Sequence, residues 1–115
     1  MIKIYHNPRC SKSRQGLALL EESGKEFEVI KYLDNPLSET ALKSLIDLLN
    51  IAPMELVRKG EAIWKENYKG KELSDTDVVA AMSQHPKLIE RPIVVLGKKA
   101  VIGRPLENIE KLLSL

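Results

Sequence analysis

The chain has 115 residues, of which 43% are hydrophobic and 30% charged, a balance typical of one globular domain and not of a disordered chain. Its 18 basic and 16 acidic residues give a net charge of +2 without a basic run, which argues against nucleic-acid binding. No apolar run approaches the ~18 residues of a transmembrane helix, and no secretory signal pattern is present. The single cysteine excludes an internal disulfide, so we expect a cytoplasmic protein with no membrane partner.

The first third of the chain predicts a strand, a helix and a second strand. Met1–Tyr5 and Phe27–Tyr32 are short runs of β-branched, aromatic and apolar residues, which favour strands. Between them, Gln15–Glu22 predicts the body of a helix, with Ser11 or Ser13 as a candidate N-cap. Two strands joined by a helix predict a right-handed parallel unit.

The middle of the chain is predicted to be helical. Ser38 begins a helix whose apolar residues recur on one face, and Pro53 fits the first turn of a short helix. The polar stretch Glu61–Leu73 is predicted to be mostly loop. Ser74 and Asp77 form a capping pattern ahead of a further helix. The periodic apolar residues of the first of these helices are Leu42, Leu45, Ile46 and Leu49.

The last third predicts a hairpin and a helix. Ile93–Leu96 and Ala100–Ile102 flank a Gly-Lys-Lys turn, and Pro105 begins a final helix. The order is therefore βαβ, a helical insertion at about 37–87, and ββα. This is the order of a thioredoxin-like α/β fold with a mixed sheet, and we expect residues 1–115 to form one such domain.

Cys10 lies in the loop between the end of the first strand and the start of the first helix. Free N–H groups and the helix dipole at such a position stabilise an anion, so we expect a thiol that ionises readily. His6, Arg9, Lys12 and Arg14 act in the same direction if their side chains point inward. The alternative is an inert, buried cysteine.

Pro92 precedes the third predicted strand. In thioredoxin-like folds a proline at that point often follows a cis peptide bond and faces the reactive cysteine. We therefore predict a cis bond before Pro92.

Five segments of the chain are distinctive: HNPRCSKSR (6–14), YLDNP (32–36), LVRK (56–59), QHPKLIERPIVV (84–95) and IGRP (102–105). They resemble segments of the glutaredoxin-coupled arsenate reductases, the ArsC family, and in particular a shorter subgroup of it. They occur in the family's order along most of the chain, and together they are specific although each alone is weak.

The resemblance implies that Cys10 is the nucleophile that attacks arsenate or a similar oxyanion. Glutathione then acts as co-substrate on the cysteine-bound arsenic, and glutaredoxin regenerates the thiol. No bound cofactor or metal is implied, and we expect a monomer. By the same resemblance, the oxyanion is bound by Arg58, Arg91 and Arg104, and the thiolate is tuned by His6 and Ser13.

Other interpretations stay open from the sequence. The arginines could be solvated, His6 could only close the strand, and Ser13 could only cap the helix. The chain could be a glutathione-dependent thiol oxidoreductase without arsenate activity. It could also be an RNA polymerase-binding regulator resembling the Spx type, although the second cysteine of their redox pair is here Ser13.

Overall fold

The computed structural model describes residues 2–114 and contains one mixed four-stranded sheet. Its strands are β1 (Ile2–Tyr5), β2 (Phe27–Ile30), β3 (Ile93–Leu96) and β4 (Lys99–Ile102), in the spatial order β2-β1-β3-β4. Strand β1 pairs in parallel with β2 and antiparallel with β3, which pairs antiparallel with β4. The sheet confirms the predicted α/β thioredoxin-like fold built from βαβ and ββα units.

The chain forms two compact units, Met1–Asp34 with Arg91–Leu115, and Asn35–Glu90. The first unit holds the sheet, helix α1 (Ser11–Ser23) and helix α5 (Glu107–Leu113). Its core is apolar, and burial of these side chains stabilises the unit by roughly 1.5–3 kcal/mol for each large residue. The core residues are Ile2, Ile4, Leu20, Val94, Ile109 and Leu112.

Helix α1 begins at Ser11, slightly before the start that a cap at Ser11 or Ser13 would give. Its N-cap is Cys10, whose side chain makes no capping hydrogen bond, and Ser13 is fully buried inside the helix. The prediction that Ser11 or Ser13 caps this helix was therefore wrong. The helix ends at Gly24, whose φ of 73° is a left-handed conformation that glycine adopts without strain.

The second unit contains three helices, α2 (Glu39–Leu49), α3 (Ala62–Asn67) and α4 (Asp75–Gln84), and short 3₁₀ turns at Pro53–Leu56 and Pro86–Leu88. Two predicted caps are confirmed. The hydroxyl of Ser38 accepts from the Ala41 N–H, and Ser74 forms a reciprocal capping box with Asp77. No helix within residues 2–114 is both long and apolar enough to cross a membrane.

Helix α3 (Ala62–Asn67) occupies the first half of the segment Glu61–Leu73, which was predicted to be mostly loop. Trp64 is 5% exposed and its ring stacks on Tyr68 with centroids 5.3 Å apart. Burial of this large aromatic side chain favours the helix. The polar neighbours of Trp64 and the glycines on either side of the segment had indicated a loop instead.

The strand register gathers three chain segments at one end of the sheet. Tyr5, the last residue of β1, pairs with Ile93, the first residue of β3, and Ile93 pairs with Ile102, the last residue of β4. The loop after β1, the segment before β3 and the segment after β4 therefore emerge side by side. These segments carry Cys10, Arg91 and Arg104.

Pro92 is buried at this end of the sheet, and the Arg91–Pro92 peptide bond is cis, as is Arg104–Pro105. The sequence predicted the first of these bonds and not the second. Two glycines make room for the proline ring. A Cβ atom on Gly16 would lie 2.9 Å from Pro92 Cγ, and one on Gly103 would lie 2.8 Å from the same atom.

We predict that Gly103→Ala lowers the free energy of unfolding by about 1–3 kcal/mol, because the added methyl group overpacks the contact with Pro92 and Ile109. Urea unfolding followed by circular dichroism measures the change. Gly60→Ala is the control, since a Cβ there has no heavy atom of the described chain within 4 Å. Equal stabilities of the two variants would contradict the proposed close packing.

Candidate active site

A tight turn places Cys10 at the start of helix α1. The Cys10 N–H donates to the Asn7 carbonyl at 3.0 Å, and the Arg9 N–H donates to the Asn7 side-chain Oδ1 at 3.0 Å. The Cys10 carbonyl then accepts the first helical hydrogen bond, from the Arg14 N–H at 3.0 Å. Pro8 suits the second position of such a turn because its φ is already fixed.

The thiol of Cys10 is half-buried and the pKa of its sulfur is lowered. Burial raises this pKa, but hydrogen bonds to the thiolate from the Ser13 N–H, the Arg91 side chain and the Lys12 N–H lower it by more in total. The charge of Arg91 acts in the same direction. The arrangement favours a thiolate, the form of cysteine that is nucleophilic.

Two arginines from the far end of the sequence converge on the sulfur. Arg104 Nη2 lies 3.4 Å from Cys10 Sγ, although the residues are 94 positions apart. The same guanidinium donates through Nε to the Arg91 carbonyl at 2.9 Å, which fixes its plane. With Arg91 hydrogen-bonded to the sulfur, two permanent cations border the thiolate.

His6 and Ser13 form a buried pair behind the cysteine. His6 Nδ1 lies 2.7 Å from Ser13 Oγ, and this Oγ also accepts from the Asn7 N–H at 2.9 Å. Burial lowers the pKa of His6, and the charges of Lys31 and Arg14 lower it further against an opposing backbone hydrogen bond with Ser13. The lowered pKa favours the neutral ring, and the tautomer of that ring decides whether Nδ1 or the Ser13 hydroxyl is the donor.

The two groups of Ser13 thus face different partners. Its hydroxyl is directed to His6, and its backbone N–H to the Cys10 sulfur. A neutral His6 ring acts here through its hydrogen bond and not through charge. The hydrogen bond between His6 and Ser13 connects the end of β1 to helix α1.

The other basic residues of the loop do not point inward. Arg9, Lys12 and Arg14 are exposed, and Arg14 Nη1 donates to the Pro8 carbonyl at 2.9 Å. Lys12 acts on the thiolate through its backbone N–H.

Arg58 belongs to the second compact unit. Its guanidinium pairs with Glu61 at 3.5 Å and with Glu90 at 3.3 Å, and all three residues line a cavity of about 540 Å³. Its backbone N–H donates to the Leu88 carbonyl. Between residues 2 and 114, no group of histidine, cysteine and carboxylate side chains is placed to hold a metal ion.

Asn7 is the structural residue of this site that the sequence interpretation did not single out. It is 6% exposed and takes part in three hydrogen bonds of the cysteine loop. The available signal was the Asn7-Pro8 dipeptide, which favours a turn.

Known proteins resemble this chain in sequence and in structure. A family model described as the ArsC family matches residues 5–112. An arsenate reductase from Neisseria meningitidis is 46% identical over 114 residues, 97% of each chain, and an uncharacterized Escherichia coli protein, YfgD, is 48% identical over 110 residues, 94% of this chain and 92% of the other. A solved structure of an arsenate reductase from Vibrio cholerae superposes with a TM-score of 0.91 at 47% identity, covering 96% of this chain and 95% of that one.

We predict that iodoacetamide alkylates Cys10 with a pH midpoint below that of free cysteine, because the pKa of the thiol is lowered. Arg91→Ala should move the midpoint upward, since it removes a hydrogen bond and a positive charge from the thiolate. Arg9→Ala is the matched control, an exposed arginine next to the cysteine in sequence. Mass spectrometry of the single cysteine gives the rates. An equal shift in both variants would show that only net charge matters.

Proposed function

Because the chain belongs to the ArsC family, we propose that it reduces arsenate to arsenite with Cys10 as the nucleophile. The observation that carries this proposal is the convergence of two guanidinium groups on the Cys10 sulfur: Arg104 Nη2 lies 3.4 Å from it, and the Arg91 side chain is hydrogen-bonded to it and lowers its pKa. A thiolate next to guanidinium groups suits a tetrahedral oxyanion, because arginine presents a planar fork of donors and stays charged.

In the first step, the Cys10 thiolate attacks the arsenic atom of arsenate. A sulfur–arsenic bond forms, and one arsenic–oxygen bond breaks, with the oxygen leaving as water after protonation. Arg91 and Arg104 offset the negative charge of the substrate and of the adduct. Their position is set by the sheet register and by the Arg104–Arg91 hydrogen bond before any substrate arrives, which favours catalysis by preorganised electrostatics.

The second step needs a thiol from another molecule, because this chain has one cysteine. We propose glutathione. Its thiolate attacks the Cys10 sulfur, a disulfide forms, and the electron pair of the sulfur–arsenic bond stays on arsenic. Arsenic is thereby reduced from the pentavalent to the trivalent state and leaves as arsenite. A glutaredoxin thiolate then attacks the glutathione sulfur of this disulfide. A disulfide between glutaredoxin and glutathione forms, and the Cys10 thiolate is released.

Arg58 is proposed as a third oxyanion ligand from the resemblance of its segment to the family. Its pairing with Glu61 and Glu90 means that an oxyanion competes with two carboxylates for this guanidinium. We therefore assign the larger part of oxyanion binding to Arg91 and Arg104.

The test is arsenate-dependent oxidation of NADPH, coupled through glutathione, glutaredoxin and glutathione reductase. We expect turnover by the wild type and none by Cys10→Ser, because the substituted hydroxyl does not form the sulfur–arsenic bond. Omitting glutathione or glutaredoxin should abolish turnover as well.

A folded wild type without turnover would contradict the proposal. The same assay without glutaredoxin, and with a mixed disulfide of glutathione as substrate, then tests the alternative, a thiol oxidoreductase without arsenate activity.

We also predict that Arg91→Ala raises KM for arsenate by roughly ten- to a hundred-fold, the loss expected for one charge-assisted hydrogen-bond partner of about 1.5–3 kcal/mol. Arg104→Lys should be similarly impaired, because lysine keeps the charge but cannot donate both to the Arg91 carbonyl and to the sulfur. Initial rates over a range of arsenate concentrations give KM. Wild-type kinetics in Arg104→Lys would show that binding does not need one side chain to donate both to the Arg91 carbonyl and to the Cys10 sulfur.

A further inference from the structure

We infer that Asn7 is a positioning residue for the Cys10 thiolate. The inference deepens the proposed function, since it names what holds the nucleophile in place. It concerns the thiolate itself and can be tested without arsenate.

The argument starts from the backbone around Cys10. The N–H groups of Lys12 and Ser13 reach the sulfur only if the chain turns between Asn7 and Cys10 and then enters helix α1. The helix has no side-chain cap of its own at Cys10. The conformation of the entering chain must therefore be set by the residues before it.

Asn7 supplies three hydrogen bonds at this point. Its Oδ1 accepts from the Arg9 N–H at 3.0 Å, its carbonyl accepts from the Cys10 N–H at 3.0 Å, and its own N–H donates to Ser13 Oγ at 2.9 Å. The first bond depends on the side chain of residue 7. Asparagine favours such a turn because its side chain imitates a backbone carbonyl.

The third bond connects the turn to the helix. Ser13 Oγ is buried and is also bonded to His6 Nδ1, so Asn7 is tied to the residue whose N–H faces the sulfur. Asn7 itself is 6% exposed, whereas Pro8 and Arg9 are exposed, so the turn is held from its buried first residue. Loss of the Oδ1 acceptor should therefore make the segment Pro8–Cys10 less ordered. The N–H groups of Lys12 and Ser13 would then be less well aligned with the Cys10 sulfur.

The experiment compares the pH profile of Cys10 alkylation in wild type, Asn7→Ala and Asn7→Leu. Leucine keeps the branched shape of asparagine, at a larger volume, without its acceptor. We expect both variants to show a midpoint shifted to higher pH and several-fold slower alkylation at pH 7. Asn7→Ser should recover part of the shift, because a serine hydroxyl accepts the same kind of turn bond more weakly.

Asn67→Ala is the matched control. Asn67 Nδ2 donates to the Ile63 carbonyl on helix α3, so this variant also loses one side-chain-to-backbone hydrogen bond. It should leave the alkylation midpoint unchanged. Urea unfolding of every variant separates stability from positioning, because a merely structural role would lower stability and leave the midpoint of the folded protein in place.

Each outcome decides the inference. A folded Asn7→Ala or Asn7→Leu protein with the wild-type midpoint overturns it. Failure of both to fold where Asn67→Ala folds would make Asn7 a folding determinant and also overturn it. An upward shift supports the positioning role even if the arsenate assay fails, since the alkylation profile does not depend on the substrate.

Discussion

The balance of forces on the Cys10 sulfur is the constraint on which the site depends. Half-burial opposes a negative charge there, and a thiolate is stable only because donors surround it. Two of those donors are backbone N–H groups of the first helical turn, so the position of the helix start determines the chemistry of the thiol. A cysteine placed one turn further along α1 would instead face N–H groups that already donate to carbonyls within the helix.

Sheet topology supplies the remaining donors. Strand β3 lies between β1 and β4 and is antiparallel to both, so the chain enters β3 where it leaves the other two. Arg91 and Arg104 therefore meet the cysteine loop without any long connection across the sheet. The hydrogen bond from Arg104 Nε to the Arg91 carbonyl then links the two arginine-bearing segments. The fold thus brings Cys10 and Arg104 into contact although they are 94 positions apart in the sequence.

The sequence predicted the parts of this arrangement that depend on local pattern. Strands, most helices and the caps at Ser38 and Ser74 follow from periodicity and side-chain chemistry. The sequence-based predictions were wrong where the burial of a side chain in the folded protein determines the local structure. Helix α3 is formed around a buried Trp64, and Ser13 looked like a cap because a buried bond to His6 cannot be inferred from spacing.

The pKa of His6 is a second property that depends on burial and cannot be predicted from the sequence. From the sequence, His6 could tune the thiolate, as the resemblance implied, or only close the strand. A pKa lowered chiefly by burial means that the ring gains its proton at a lower pH than an exposed histidine does. Because the folded ring binds a proton less readily than an exposed histidine, this group favours the folded state above its ordinary pKa and disfavours it as pH falls. The neutral pair is thus a structural connection between β1 and α1, and charge on the sulfur is balanced by the arginines and the backbone.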